Sequence, residues 1–342
     1  MPQTAAARTA APASALDRLT AALSGDMAQV DALIRARMGS RHAPRIPEVA
    51  AHLIEAGGKR VRPLLTLASA RLIAGEAGLV DQHAHLLATA VEFIHTATLL
   101  HDDVVDESRQ RRGRPTANLL WDNKTSVLVG DYLFARSFQL MVGTGSITVL
   151  DILADAAATI AEGEVLQLTA AQNLATDEAT YIAIVRGKTA ALFSAATEAG
   201  GVVAGATPQQ QKALFGYGDA LGIAFQIVDD LLDYGGASGV IGKNTGDDFR
   251  ERKLTLPVIK AVAAADEAER AFWRRVIEAG DQCDGDLDEA MAILGRRGAL
   301  EAARQDALDW SARAKDHLAA LPEGELRDML DGLADFVVAR VA

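Results

Sequence analysis

The sequence has 342 residues, of which 49% are hydrophobic and 23% are charged, a balance that excludes a disordered or collagen-like chain. Its net charge of −12 opposes non-specific nucleic-acid binding, and no uncharged apolar run reaches the roughly 18 residues of a membrane-spanning helix. The single cysteine, Cys283, cannot form an internal disulfide or a thiolate zinc site, so a reducing, cytoplasmic location is expected. We therefore expect no nucleic-acid partner and no transmembrane segment.

The chain is predicted to be helical along nearly its whole length. Residues 1–13 are low in complexity and lack acidic side chains, which predicts a disordered N-terminal tail before a single domain at residues 14–342. Apolar residues recur at three- and four-residue spacing over residues 15–38, 82–106, 118–142, 147–172, 177–200, 208–234 and 299–320. No alternating β-branched runs occur, so no sheet is expected. We predict an all-α fold, a large single-domain helical bundle around a central cavity.

Two helix ends are predicted from their capping residues. Thr207, Pro208 and Gln210 combine an N-cap, a first-turn proline and a capping-box glutamine, which predicts that a helix starts here. Gly200 and Gly201 are expected to end the helix before it.

Two matching aspartate motifs lie near the ends of long apolar segments. At about 100° per residue, the members of each motif share one face of a helix. Clustered carboxylates repel one another, and their hard oxygens suit Mg²⁺, which commonly bridges to substrate phosphates. The alternative is a pair of solvated acidic helix ends, which two copies in apolar surroundings disfavour. The motifs are Asp102, Asp103 and Asp106, and Asp229, Asp230 and Asp233.

Positive charge is clustered beside these motifs in an otherwise acidic chain. Gly57 and Gly58 precede three cations, and glycine lets the backbone approach an anion closely. Arginine binds phosphate oxygens through two parallel hydrogen bonds. A single surface cation would be only a solvated charge, so the interpretation as phosphate ligands depends on clustering. The candidates are Lys59, Arg60, Arg62, Arg109, Arg111, Arg112, Arg114, Lys188, Lys243 and Lys253.

The order of these motifs along the chain resembles that of the trans-prenyltransferases, the all-trans polyprenyl diphosphate synthases. The resemblance covers roughly residues 15–342. It is carried by Gly57-Gly58-Lys59-Arg60-x-Arg62-Pro63, His95, the first aspartate motif with Arg111-Arg112-Gly113, Gly187-Lys188-Thr189, Phe225-Gln226 with the second aspartate motif, Gly242-Lys243 and Lys253. His101 lies on the same predicted helix as His95, and for it a packed core histidine is the equal alternative to a ligand.

The resemblance implies a homodimer that adds isopentenyl diphosphate head-to-tail to an allylic diphosphate, with two or three Mg²⁺ ions. Departure of the allylic diphosphate leaves an allylic cation, so charge on the leaving oxygens must be stabilised and no protein nucleophile is needed. The implied Mg²⁺ ligands are Asp102, Asp103, Asp106, Asp229, Asp230 and Asp233, with Lys188 and Lys243 completing the catalytic set. The implied contacts of the allylic diphosphate are Arg111, Lys188, Lys243 and Lys253. Those of isopentenyl diphosphate are Gly58, Lys59, Arg62, His95 and Arg112, and Thr189 and Gln226 would line the reacting centre.

Product length is predicted from the residues just before the first aspartate motif, where short-chain members of this family often carry a bulky aromatic. Here Ala97, Ile94 and Ala90 form one helical stripe that spans about 10.8 Å. No aromatic residue blocks it, so we expect a long-chain product of the octaprenyl, solanesyl or decaprenyl type. The resemblance implies use in a respiratory quinone such as ubiquinone. The exact number of units stays open.

Four alternatives remain beside this hypothesis. A shorter-chain farnesyl or geranylgeranyl synthase would share the same motifs. A terpene cyclase uses an aspartate-rich motif and Mg²⁺ but needs neither the Gly-Gly-Lys-Arg segment nor two matching motifs. A non-catalytic subunit of a heteromeric synthase would be expected to have lost one motif. A purely structural bundle leaves both acidic clusters unexplained.

Overall fold

The structure is a computed structural model that describes residues 14–75, 81–235 and 246–341. The predicted tail, residues 1–13, lies outside the described residues. In the first half of the chain the elements are α1 (Ala15–Ala22), α2 (Ser24–Arg37), α3 (Arg45–Glu55), α4 (Val61–Ala74), α5 (Gln82–Val105), β1 (Gln110–Arg111), β2 (Arg114–Pro115), α6 (Ala117–Leu120), α7 (Asn123–Gly143) and α8 (Ile147–Ala170).

The second half continues the helical pattern and includes two single π-helical turns. Its elements are α9 (Glu178–Val185), a π-helix (Arg186–Ala190), α10 (Ala191–Val203), α11 (Pro208–Gly235), α12 (Asp247–Arg250), α13 (Leu256–Ala263), α14 (Glu267–Trp273), a π-helix (Arg274–Glu278), α15 (Asp286–Arg296), α16 (Ala299–Leu318), α17 (Glu325–Val338) and a 3₁₀ turn (Ala339–Val341). The all-α prediction is confirmed. No helix in these described ranges has the length and apolarity that a membrane span requires.

The predicted start of α11 is confirmed by its capping box. The Thr207 backbone N–H donates to Gln210 Oε1 at 2.9 Å, and the Gln210 backbone N–H donates to Thr207 Oγ1 at 3.3 Å. The prediction that Gly200 and Gly201 end a helix is wrong, because α10 runs on to Val203. A Cβ atom at Gly200 would collide with the Thr66 carbonyl oxygen of α4, so this glycine allows two helices to pack closely.

The prediction of no sheet is wrong at one short hairpin. Strands β1 and β2 pair antiparallel, with Arg111 opposite Arg114. Arg112 and Gly113 between them both adopt positive φ, 53° and 73°, which matches the two-residue turn that suits a β-hairpin. The signal is only four paired residues long, too short for any periodicity to show.

Two clusters of buried apolar residues hold the helices together. The larger one draws on α1 to α11, α13, α16 and α17, and α5 passes through it with 14 of its 24 residues buried. The smaller cluster surrounds Trp273 and includes Tyr234 and Phe249. Leu254 and Leu300 pack against both clusters. A single domain at residues 14–342 and a central cavity stay predictions.

Candidate active site

The first aspartate motif lies at the C-terminal end of α5, and its members have different surroundings. Asp103 is almost wholly buried, with 1% of its side chain exposed, and its Oδ1 accepts a hydrogen bond from Arg111 Nε at 2.8 Å. Asp102 and Asp106 are partly exposed. Burial, with Glu164 and Asp106 nearby, raises the pKa of Asp102 to about 7, although neighbouring cations oppose this shift. A further cation would therefore stabilise the charged form of Asp102, whereas Asp103 is already paired with Arg111.

The second aspartate motif lies near the C-terminal end of α11, and its buried member joins a hydrogen-bonded chain. Asp230 accepts from the Tyr181 hydroxyl at 2.6 Å and from Gln226 Nε2 at 2.8 Å. Gln226 Oε1 in turn accepts from Thr189 Oγ1 at 2.8 Å. Burial, with Asp248 nearby, raises the pKa of Asp230 to about 8. The two residues predicted to line the reacting centre are therefore linked to this motif.

Asp233, the last member of the second motif, organises the start of α12. Its two carboxylate oxygens accept the backbone N–H groups of Asp247 and Asp248, at 3.3 and 3.0 Å. Asp229 is partly exposed. Asp103 and Asp230 each accept hydrogen bonds from side chains, and Asp233 caps a short helix.

Lys188 lies in the first π-helical turn, which packs against α8 at two glycines. A Cβ atom at Gly163 would lie 2.7 Å from the Lys188 backbone nitrogen, so only glycine permits this close approach. The contact brings Lys188 Nζ to 2.9 Å from Glu164 Oε2. π-helical turns inside α-helices often occur at functional sites. This one carries Lys188, whose charge lies near enough to Asp102 to lower its pKa.

Lys253 connects the two aspartate motifs. Its Nζ lies 3.8 Å from Asp106 of the first motif and 2.6 Å from Glu251. Burial disfavours its charged form, but Asp106, Glu251 and Asp248 together raise the pKa of Lys253 above its ordinary value. Since Asp248 also acts on Asp230, both motifs belong to one electrostatic site. The predicted contact Lys243 lies outside the described residues.

A second group of cations surrounds the start of α4, as predicted for the isopentenyl diphosphate contacts. Arg62 is partly buried, its Nη1 lies 3.3 Å from His95 Nε2, and its guanidinium stacks 4.5 Å from the centre of the Phe193 ring. Burial lowers the pKa of Arg62 to about 10. Burial and the surrounding arginines lower the pKa of His95 well below its ordinary value, so His95 is neutral and accepts from Arg62.

Gly58, Lys59 and Arg112 complete this group. A Cβ atom at Gly58 would lie 2.8 Å from Arg112 Nη1, so the missing side chain makes room for the guanidinium. Lys59 Nζ lies 5.3 Å from the centre of the Phe336 ring, and burial together with Arg340 lowers the pKa of Lys59. Arg112 lies close enough to Arg62 for their charges to repel, and an anion would relieve this repulsion.

The β-hairpin separates the two groups of cations. Arg111, the last residue of β1, donates to Asp103, whereas Arg112 in the turn lies against Gly58. Consecutive residues of an extended strand point to opposite sides, and the positive φ of Arg112 turns the chain further. The structure therefore divides two adjacent arginines between two halves of one site, as the predicted contacts require.

The predicted chain-length residues and His101 lie along α5. Ala97, Ile94 and Ala90 are buried, with at most 1% exposed, and their effect on product length stays a prediction. His101 packs against Gly130 of α7, where a Cβ atom would collide with its ring, and it lies 3.2 Å from the Val127 carbonyl oxygen. These contacts favour the packing interpretation for His101.

The carboxylates fit a hard divalent cation that the substrate helps to bind. Among residues 14–75, 81–235 and 246–341, no three Asp, Glu, His or Cys side chains gather closely enough to hold a metal ion unaided. Mg²⁺ typically takes one or two protein carboxylates and completes its shell with water and substrate phosphates. The six motif carboxylates offer oxygen ligands of the kind that Mg²⁺ prefers, and Asp103 and Asp230 also accept hydrogen bonds from protein donors.

Sequence reasoning missed three residues of this site. Glu92 lies among the arginines near α4, Glu164 pairs with Lys188, and Tyr181 donates to Asp230. A signal existed for Glu92, since a carboxylate inside a run as apolar as Ala88–Ile94 is rarely buried without a partner. Glu164 and Tyr181 carried no comparable signal, because their partners are distant in sequence.

This chain is similar to known proteins over most of its length. The family model described as polyprenyl synthetase matches residues 43–294. An octaprenyl diphosphate synthase from Haemophilus influenzae is 42% identical over 325 residues, covering 95% of this chain and 97% of its own.

Two solved structures are similar over nearly the whole length. A decaprenyl diphosphate synthase from Rhodobacter capsulatus is 72% identical with a TM-score of 0.91, covering 96% of this chain and 99% of its own. A polyprenyl synthase from Caulobacter crescentus CB15, complexed with calcium and isoprenyl diphosphate, is 51% identical with a TM-score of 0.90, covering 96% and 98%.

Proposed function

The chain belongs to the polyprenyl synthetase family, and we propose that it adds isopentenyl diphosphate head-to-tail to an allylic diphosphate, giving a long-chain all-trans polyprenyl diphosphate. The observation that carries this proposal is the division of the site into two cationic halves. One half contains both aspartate motifs with Lys188 and Lys253, and the other contains Arg62 and Arg112 without a motif. A reaction of two diphosphates needs two such halves.

The half with the aspartates would bind the allylic diphosphate. We propose that Asp102, Asp103, Asp106, Asp229, Asp230 and Asp233 hold Mg²⁺, in two or three ions. The Caulobacter protein is complexed with calcium and isoprenyl diphosphate, which supports a divalent cation here. When bound, Mg²⁺ supplies positive charge that neutralises the departing diphosphate. Lys188 and Lys253 add fixed positive charge at the same leaving group. Asp103, Asp230 and Asp233 would in addition hold neighbouring groups in place through the hydrogen bonds described above.

The other half would bind isopentenyl diphosphate. Arg62, Arg112 and Lys59 offer guanidinium and ammonium donors, and neutral His95 orients Arg62 by accepting from it. The allylic carbon–oxygen bond breaks as the diphosphate leaves, and the double bond of isopentenyl diphosphate forms the new carbon–carbon bond. The released diphosphate then accepts one proton from the resulting cation, which restores a double bond, so no protein nucleophile is required.

We also propose that two copies of this chain associate through an apolar surface on α6, α7 and α8. Large apolar side chains are exposed on each of these three helices, and exposed apolar surface of this kind often marks an interaction site. Homodimer interfaces are more apolar than other surfaces, so a second copy is the occupant that fits. The surface consists of Leu119, Leu120, Leu128, Val142, Ile147, Val165 and Leu168, all more than a third exposed. The quinone use of the product and the cytoplasmic location stay predictions.

The experiment that tests the function is incubation of the purified protein with labelled isopentenyl diphosphate, farnesyl diphosphate and Mg²⁺, followed by mass analysis of the products. A long-chain polyprenyl diphosphate is expected. Products that stop at farnesyl or geranylgeranyl length would instead indicate a short-chain synthase. A cyclic hydrocarbon without incorporated label would indicate a terpene cyclase. The absence of any product would favour the alternative of a non-catalytic subunit.

A further inference from the structure

Glu92 is a buried carboxylate that the proposed reaction does not use. It lies within α5, its residue is 8% exposed, and its Oε1 accepts from Arg60 Nη1 at 2.6 Å. Burial raises the pKa of Glu92, and Arg60, Arg62 and Arg112 oppose that shift. A carboxylate that sits among three guanidinium groups is paired rather than isolated.

Arg60 is held by carboxylates on two different helices. Besides the contact with Glu92, its Nε lies 3.3 Å from Asp31 Oδ1 on α2. Its backbone adopts a φ of 47°, a left-handed conformation that a non-glycine residue rarely takes without support from its surroundings. Arg60 therefore acts as an anchor for the start of α4, although the sequence grouped it with the phosphate ligands.

That anchor lies between the groups proposed to bind isopentenyl diphosphate. Gly58 and Lys59 precede Arg60, and Arg62 follows it in the first turn of α4. Within the described part of the chain, the buried Nε of Arg62 has no hydrogen-bond partner, and the guanidinium is held by the Phe193 ring and by His95. Glu92 also offsets the repulsion that Arg112 exerts on Arg62, since Arg112 lowers the pKa of Arg62 and Glu92 raises it.

We infer that Glu92 is a positioning residue for isopentenyl diphosphate: by holding Arg60 it fixes the segment Gly58–Arg62, which carries Lys59 and Arg62. This inference rests on the proposed function. The two possible roles of Glu92, as an anchor for Arg60 and as a negative charge, predict opposite effects on the binding of isopentenyl diphosphate. Loss of the negative charge alone would strengthen the attraction for a diphosphate, whereas loss of the anchor would weaken binding.

The test compares Glu92→Gln, Glu92→Asp and the unaltered protein in steady-state kinetics and in calorimetric titration with isopentenyl diphosphate. Glu92→Gln removes the charge, and Glu92→Asp keeps the charge but withdraws it from Arg60. We expect both to raise the KM and Kd for isopentenyl diphosphate by at least about tenfold, the scale of one charge-assisted hydrogen bond. The KM for the allylic substrate should stay within about threefold, because its half of the site is unchanged.

Glu198→Gln is the matched control. Glu198 is a partly buried carboxylate on α10 whose pKa is raised by burial and by Asp155, away from the arginines. This variant should leave the KM for isopentenyl diphosphate unchanged. If Glu92→Gln does not fold, Glu92→Asp decides the question by the same measurements.

Three results would overturn the inference. An unchanged or lower Kd for isopentenyl diphosphate in Glu92→Asp would show that the position of Glu92 is unimportant. A lower KM in Glu92→Gln would show that charge alone matters. An equal rise in Glu198→Gln would show only a general effect of losing a buried carboxylate. Failure of the unaltered protein to bind or condense isopentenyl diphosphate would instead refute the proposed function.

Discussion

Arg111 Nε donates a 2.8 Å hydrogen bond to Asp103 Oδ1, while Asp102, the preceding residue, lies near Lys188 and Glu164. Two adjacent aspartates of one motif therefore have different tasks. Asp103 neutralises a guanidinium inside the protein, and Asp102 faces a charge environment that a metal ion would complete. Substitutions can test this difference, because loss of Asp103 leaves the Arg111 guanidinium without its buried partner, whereas loss of Asp102 relieves repulsion among carboxylates.

Asp102→Asn and Asp229→Asn should each lower turnover by about two orders of magnitude or more, because charge stabilisation at the leaving group is lost. Neither should lower Tm, since each change relieves repulsion among carboxylates. Asp103→Asn should destabilise the fold by about 1–3 kcal/mol, because Arg111 loses its buried partner. Initial rates at saturating Mg²⁺ and thermal melts followed by circular dichroism separate the two effects. Near-normal turnover of the Asp102 variant would contradict the assignment.

Gly58→Ala should raise the KM for isopentenyl diphosphate by about tenfold with little change in kcat. The added Cβ would lie 2.8 Å from Arg112 Nη1, so the guanidinium must move out of its place. Gly25→Ala is the control, because a Cβ atom there meets nothing within 4 Å. Steady-state kinetics with each substrate varied in turn provide the measurement. A rise confined to the allylic substrate would mean that the two halves have been exchanged.

Ala97→Tyr should shorten the product to farnesyl or geranylgeranyl length. Ala97 is buried on α5 above Ile94 and Ala90, and close-packed interiors adapt poorly to an added ring. The initial rate should stay within about tenfold, because the diphosphate contacts are separate from this stripe. Ala97→Ser, which adds almost no volume, should keep the long product. Mass spectrometry of hydrolysed products decides, and an unchanged length in Ala97→Tyr would place the growing chain along another helix face.

Leu128→Glu should convert a dimer into a monomer. Leu128 is 65% exposed and lies on the apolar surface of α6 to α8. A charge buried at a homodimer interface is costly. Phe215→Glu on α11 is the control, since Phe215 is exposed but lies outside that surface. Light scattering coupled to size-exclusion chromatography gives the mass of each variant. A monomeric unaltered protein would refute the proposed interface.

Asp286→Asn should lower Tm at neutral pH and have little effect in acid. Arg275 donates to both Asp286 carboxylate oxygens, at 2.8 and 2.6 Å, and these bonds lower the pKa of Asp286 well below its ordinary value. A depressed folded-state pKa stabilises the fold above the unfolded pKa of about 3.9, and this stabilisation is lost as the pH falls through the folded value. The Tm difference should therefore be largest near neutrality and shrink below about pH 4.

The exposed Asp288 on the same helix provides the control for that series. Asp288→Asn removes an equal charge from the first turn of α15 without a bidentate partner. Its Tm difference from the unaltered protein should stay small across the same pH range. An equal, pH-dependent loss in both variants would assign the effect to the helix terminus instead of the Arg275 pair.

The sequence by itself was sufficient for the long helices α5, α7, α8, α11 and α16, for the two aspartate motifs and for the cationic clusters. These features are local: apolar spacing repeats within each helix, and each motif lies within one short segment. The same locality explains the capping box at Thr207, which the structure confirms. The glycine pair at Gly200 was misjudged because glycine ends a helix in isolation but allows close packing when a second helix lies beside it.

Only the tertiary structure decided how charges are shared among segments that are distant in sequence. Arg60 carries the same charge as Arg62, yet Asp31 and Glu92 engage Arg60, while Arg62 is held by the Phe193 ring and by His95. Adjacent residues Asp102 and Asp103 likewise differ because α5, the hairpin and the π-helical turn bring different partners to each. Coulomb interactions and hydrogen bonds depend on distance in space, so residue type and spacing cannot specify these pairings.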